Sequence, residues 1–288
     1  MEPSDLARAI DVTISIAVAL ELPTLDATVI QNSNKLALRL SPCDVFARVA
    51  PDEHQHAAFE IELAQRLTET DSPVAALDPR VEPRGYRRDG FEVTFWTYHE
   101  PVAQEVPPAA YADALERLHA GMRVLDVPAP HFTDRVEEAQ RVVHDPEGSP
   151  TLPTEDREML ANTLRRLRRT VPDHGATEQL LHGEPHPGNI LATANGPLFV
   201  DLETCCHGPI EIDLAHVPET VSEHYPGIDQ VLLRDCRELV LAMVAAWRWE
   251  PGDQLPNGIP FGRALLSALR TGPPWPAIDE VYDRLSAP

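Results

Sequence analysis

Residues 180–203 read LLHGEPHPGNILATANGPLFVDLE. The stretch opens with a loop broken by Gly183, Pro185, Pro187 and Gly188, carrying a carboxylate at Glu184 and an amide at Asn189. A short apolar piece, GNILAT, follows, then a turn at Asn195 and Gly196, then PLFVDLE ending near Asp201. Asn-Gly between two apolar runs is a hairpin signal. Such a hairpin returns Asp201 to the end from which the loop departs.

These residue types suit one chemistry. Phosphoryl transfer asks little covalent help of a protein; it needs a group to orient or deprotonate the acceptor hydroxyl and hard oxygen ligands for Mg²⁺. A carboxylate five residues before an asparagine, with a further Asp on the next strand, is the spacing of a kinase catalytic loop followed by its metal loop. A rival reading uses the alternation of His182, Glu184 and His186, which on a regular strand would put three metal-capable side chains on one face for zinc or iron. The interleaved Gly183, Pro185 and Pro187 argue against a regular strand there.

HGEPHPGN (182–189) resembles the catalytic loop of the aminoglycoside phosphotransferase family, which is itself similar to choline kinases, and VDLE resembles that family's metal-binding segment. Downstream, PIEIDLA (209–215) resembles its usual ending, in which the Asp, here Asp213, positions the catalytic loop. The resemblance implies an α+β, bilobal protein-kinase-like fold: an N-lobe of antiparallel sheet plus helix over 1–99 and a mainly helical C-lobe over 100–288. It implies Glu184 as base, Asn189 and Asp201 as Mg²⁺ ligands, and His182, His186 and Asp213 as support of the loop. Together these three groups are expected to converge on one cation between the lobes.

Weaker echoes extend over most of the chain. QNSNKLAL (31–38) is similar to a first hairpin whose turn covers phosphates, which implicates Asn34 and Lys35. DVFARVA (44–50) resembles a third strand with Arg48 where lysine usually grips the phosphates, and HAAFEIELAQRL (56–67) the following helix, with Glu60 as the partner of Arg48 and Glu62 as a weaker candidate. TFWTYHEP (94–101) resembles the hinge, where backbone groups of Thr97, Tyr98 and His99 would meet the adenine edge, and LERLHA, with His119, the helix that follows. Two departures stand out: Glu184 where the family has Asp, and Arg48 where it has Lys. The resemblance therefore implies ATP, or GTP, with Mg²⁺, and transfer to a hydroxyl of an antibiotic, amino sugar or amino alcohol. Loss of transfer with nucleotide binding retained is the alternative raised by Glu184, and a His/Glu metal hydrolase the third.

Outside these motifs, apolar spacing predicts a helix over about 6–22, strands within 27–50 and 91–98, and a helix from about 53 to 67. Long amphipathic segments follow at 111–119, 133–143 and 154–170, and again from about 228 to 285. The Pro-rich HEPVAQEVPP (99–108) marks the boundary. A net charge of −22 opposes binding to nucleic acid, since polyanion affinity rests on basic side chains, and would draw a cationic acceptor. Lys35 is the only lysine, so any other phosphate-binding cation is an arginine or a metal. Four cysteines without a C-x-x-C pattern, no basic-then-apolar leader and no 20-residue apolar run predict a cytoplasmic chain away from membranes, monomeric or homodimeric. Cys205 and Cys206 are expected as small packed residues, the Arg165–Arg169 cluster as a solvated helix face, and Trp247, Trp249 and Trp275 as core or cleft wall.

Overall fold

The computed structural model describes residues 3–32, 35–52, 57–253, 255 and 257–286. Asn34, one of the expected phosphate-covering residues, lies outside them.

The chain begins with helix α1 (Pro3–Ala19) and continues as strands β1 (Thr24–Asn32), β2 (Leu36–Pro42) and β3 (Val45–Pro51). Helix α2 (Ala57–Glu69) precedes β4 (Tyr86–Arg88) and β5 (Phe91–Thr97). The five strands form one antiparallel sheet in the order β1-β2-β3-β5-β4. Period-two burial explains its two faces. Leu36, Leu38, Leu40, Val45, Ala47 and Val49 are completely buried and form a core with Ala9, Val12, Ile16 and Ala17 of α1. Each of the leucine, valine and isoleucine side chains taken fully out of water contributes about 1.5–3 kcal/mol. The intervening residues of β3 turn the other way, so Arg48, paired in register with Ala37 and Thr94, is excluded from that core.

Helix α2 shows how sequence periodicity and burial diverge. The pattern places Phe59, Leu63 and Leu67 on its inner stripe, yet Phe59 is only half-buried and Glu60 takes the place at its head, with Leu63, Ala64 and Leu67 at helical spacing behind it. A carboxylate in that stripe requires a buried cation.

The remaining elements are helices α3 (Pro108–Arg123), α4 (Phe132–His144) and α5 (Thr154–Asp173), strands β6 (Glu178–Leu181), β7 (Ile190–Thr193), β8 (Gly196–Phe199) and β9 (Cys206–Pro209), and helices α6 (Glu211–Leu214), α7 (Glu219–Ser222), α8 (Gln230–Trp247), α9 (Gly258–Thr271) and α10 (Ile278–Ser286). Strand β6 pairs with β9, and β7 forms a hairpin with β8. Helix α8 is buried almost all round from Leu239 to Ala246 and packs against α4, α5 and α9.

Two compact units result, and the division is not a single cut. One comprises Met1–Gln104 with Ala192–Glu203, the other Glu105–Leu191 with Thr204–Pro288. The 192–203 segment is fastened into the first unit by the backbone: Ala75 donates to the Phe199 carbonyl at 2.9 Å, Phe199 to Pro73 at 2.7 Å, and Val102 to Ala192 at 2.9 Å.

Candidate functional site

In the first unit, β3 and α2 bring Arg48 against Glu60, an ion pair in which both side chains are nearly sealed from solvent. The other arm of the same guanidinium reaches Asp201 Oδ1 at 2.8 Å. Lys35, at the start of β2, pairs with Glu203 and lies 4.0 Å from Glu60 Oε2. Two cations are thus interleaved with three carboxylates. Burial opposes the charge on Arg48, but Glu60 and Asp201 outweigh it and raise its pKa, holding the guanidinium charged. Burial pushes Glu60 upward, against the pull of Arg48 and Lys35. Lys35, Arg48, Glu60 and Thr94 border a small open pocket.

Asp201 owes its direction to the backbone. Strand β8 ends at Phe199, and Asp201 adopts a left-handed φ of 66° before a single 3₁₀ turn at Leu202–Thr204. Asp is among the few side chains that tolerate that region.

Thr97 N–H donates to the Ala76 carbonyl at 2.9 Å, which commits that amide hydrogen within the first unit. Tyr98 places its ring 4.2 Å beneath the Arg39 guanidinium and its hydroxyl 3.1 Å from Glu100.

In the second unit, the loop 182–189 is tied down at almost every residue. Fully buried Asp213, on α6, accepts from His182 N–H at 2.9 Å and Gly183 N–H at 2.8 Å, and meets His119 Nε2 at 2.9 Å. The other His119 nitrogen meets the Tyr225 hydroxyl at 2.7 Å. Burial would raise Asp213, yet the His119 bond and the loop amide hold it below the usual carboxylate range. Gly183 has φ +88°, and a Cβ there would fall 2.1 Å from the Thr204 carbonyl, so only glycine fits. Tyr111 Oη donates to the Pro185 carbonyl. His186 Nδ1 accepts from Gly188 N–H at 3.0 Å, closing the 3₁₀ turn Pro187–Asn189.

That scaffold leaves Glu184 and Asn189 arranged for use. Asn189 Nδ2 donates to the Glu184 carbonyl at 3.0 Å, which orients the amide and leaves its carbonyl oxygen outside that bond. The Glu184 carboxylate is held at about 2: burial opposes ionisation, and Arg135 first, then His216 and His186, overcome it. His216 is buried, and that burial lowers it to about 4, so it stands neutral beside the carboxylate.

His182, Glu184 and His186 do not lie on a strand. His182 is buried, with Nδ1 accepting from Glu184 N–H at 3.4 Å, and His186 is spent on its own turn. Among the described residues, no group of three or more His, Cys, Asp or Glu side chains is disposed to hold a metal ion. Cys205 and Cys206 are buried thiols, and burial pushes Cys206 up to about 12. Arg166 pairs with Glu238 at 2.5 Å and Arg168 with Glu137 on exposed faces, as solvated helix residues do.

The profile of the phosphotransferase enzyme family APH matches residues 31–250, a span that contains both halves of this arrangement. The chain belongs to the APH phosphotransferase family. No curated protein matches this phosphotransferase by sequence comparison. Its fold is similar to that of an amicoumacin kinase in complex with AMP-PNP and Ca²⁺, with a TM-score of 0.70 at 10% identity over 97% of this chain and 100% of that one. A choline kinase from Streptococcus pneumoniae superposes with a TM-score of 0.67 at 13% identity, over 91% and 99% of the two chains. A spectinomycin phosphotransferase in complex with ADP and spectinomycin gives 0.59 at 11% identity over 96% and 98%. The chain is thus a phosphotransferase, with a five-stranded antiparallel sheet in one unit and a mainly helical second unit, a fold similar to that of the small-molecule kinases named above. Among the described residues, no helix is long and apolar enough to cross a membrane.

Sequence reading did not find Arg135, His216 or the β6–β9 pair. One signal was available for Arg135: it stands three residues after Phe132 and four before Ala139, beside the apolar stripe of α4, where an arginine needs an acid to neutralise it.

Proposed function

We propose that the protein transfers the γ-phosphate of ATP, or GTP, to a hydroxyl of a small molecule, with Glu184 as the base or orienting group. The observation that carries the reading is the loop 182–189: an ionised, half-buried carboxylate and an amide bonded through its nitrogen to the loop are fixed five residues apart on a backbone anchored by Asp213. Asn189 Oδ1, in the second unit, and the Asp201 carboxylate, in the first, are each hard oxygen donors of the kind Mg²⁺ takes. When bound, the metal supplies charge neutralisation for the phosphates. Arg48 and Lys35 are the cations for the phosphate oxygens and Glu60 holds Arg48, while backbone groups of Thr97, Tyr98 and His99 take the adenine edge.

For the acceptor, we infer an antibiotic or an amino alcohol. The named fold relatives act on amicoumacin, spectinomycin and choline, and the net charge of −22 favours a cationic molecule. A thermal-shift titration with ATP and Mg²⁺, followed by phosphate transfer to a panel of aminoglycosides, other antibiotics and choline-like alcohols, tests the reading. Turnover that depends on both ATP and a hydroxyl acceptor supports it; nucleotide binding without turnover on any acceptor sinks transfer in favour of a binding module. Metal retained through dialysis in the absence of nucleotide would favour the hydrolase.

A further inference from the structure

We propose that Arg135 is the positioning residue of the base, a clamp that sets where the Glu184 carboxylate stands. The inference rests on the assignment of Glu184 above and goes beyond it.

Four observations within the second unit carry it. Arg135 Nη2 donates to Glu184 Oε1, and Nη1 lies 3.4 Å from the Gly183 carbonyl, so one guanidinium holds both the side chain and the backbone just before it. The guanidinium carbon lies 5.0 Å from the ring centroid of Trp247, the last residue of α8, a cation–π contact that fixes its plane. Both members of the ion pair are largely withdrawn from solvent, at 16% and 23% exposure, where such a pair is screened little. The loop backbone is held independently, because Asp213 accepts from both His182 N–H at 2.9 Å and Gly183 N–H at 2.8 Å.

The length of Glu184 matters to this geometry. An aspartate at the same Cα would end about one C–C bond, roughly 1.5 Å, short of the position the carboxylate now takes. The clamp and the longer side chain therefore form a matched pair, with Arg135 supplied by α4 and its stacking partner by α8. Because Arg135 hydrogen-bonds to one carboxylate oxygen, the second remains to accept from the acceptor hydroxyl. Loss of the clamp would leave the loop on its Asp213 anchor, without the bond to the Gly183 carbonyl, and free the carboxylate to take other rotamers. That predicts a defect in kcat and not in nucleotide binding.

The experiment is a double-mutant cycle on the phosphate-transfer reaction, using whichever panel acceptor the wild type phosphorylates with Mg-ATP. We expect R135M to lower kcat by about 10²-fold, the scale of a misplacement of about 1 Å, with KM for ATP unchanged. R135K should recover part of the loss, and E184D should fall in the same way as R135M. Added to E184Q, R135M should cost nothing further. Full kcat in R135M while E184Q is inactive overturns the clamp alone; a wild-type rate in E184Q overturns the base assignment instead. An R135M cost of equal size in the E184Q background also overturns the clamp. Crystal structures of wild type and R135K with Mg-AMP-PNP test it without turnover and without relying on the methionine variant folding: an unmoved Glu184 carboxylate in a lysine variant that no longer contacts it would overturn the proposal.

Discussion

Arg48 and Arg135 are both buried guanidiniums set against carboxylates, yet they are held in opposite ways. Arg48 divides its charge between Glu60 and Asp201 and has Lys35 nearby, within a cluster that is ionic throughout. Arg135 has one acid, one backbone carbonyl and an indole face. A shared cation can exchange partners when a phosphate or a metal arrives, whereas one stacked on an aromatic ring keeps its orientation. In the reading proposed here, the first unit accordingly carries the charge that must rearrange and the second the geometry that must not.

The widest test of that contrast is Glu184→Gln against Asp201→Asn. The first should lower turnover by about 10²–10⁴-fold, the usual contribution of a positioned base, while ATP binding persists. The second should weaken Mg²⁺-dependent nucleotide binding, seen by calorimetry with and without the metal. Equal effects of both on affinity would dissolve the distinction between the units. Next, Glu60→Gln should destabilise the fold by about 3 kcal/mol in urea titration, the lower end for breaking a buried pair because Arg48 keeps Asp201. Gly183→Ala should cost about 1–3 kcal/mol through its left-handed backbone and the clash with Thr204, read by the same titration.

A pH series sharpens the second-unit side. Glu184 is depressed from 4.5 to about 2, so its ion pair contributes stability that is complete above the unfolded value and is lost as pH falls through about 2. Turnover should therefore show no acidic limb from Glu184 between pH 5 and 7; a limb there that vanishes in R135M would contradict the assignment. The smallest effect is expected from Arg168→Ala, whose exposed pair with Glu137 should change stability by under about 0.5 kcal/mol.

Local chemistry made part of this molecule legible beforehand. Alternation in LALRL and VFARV announces strands with one buried face, and Asn195-Gly196 announces the hairpin. Glu60 and Arg48 were paired through the resemblance of DVFARVA and HAAFEIELAQRL to the family's strand and helix, and burial supplies the physical reason, since a carboxylate among apolar residues demands a cation. The reverse argument, an arginine beside the stripe of α4, was equally present and went unused, since Arg135 finds its acid 49 residues away on another element. Strands β6 and β9 are four residues each and separated by a loop, a hairpin and a 3₁₀ turn, so periodicity has too few repeats to register. The occupied Thr97 amide depends on Ala76, in an irregular stretch whose path no pattern specifies.

The unit containing the N-terminal sheet is completed by residues 192–203, almost ninety positions after its main segment ends at Gln104. During synthesis, then, that sheet emerges from the ribosome without Asp201 or Glu203 to match Arg48 and Lys35, and must wait for helices α3, α4 and α5 before those partners follow. A gene fragment stopped at codon 104 would yield a polypeptide in which Arg48 and Lys35 share the one carboxylate of Glu60.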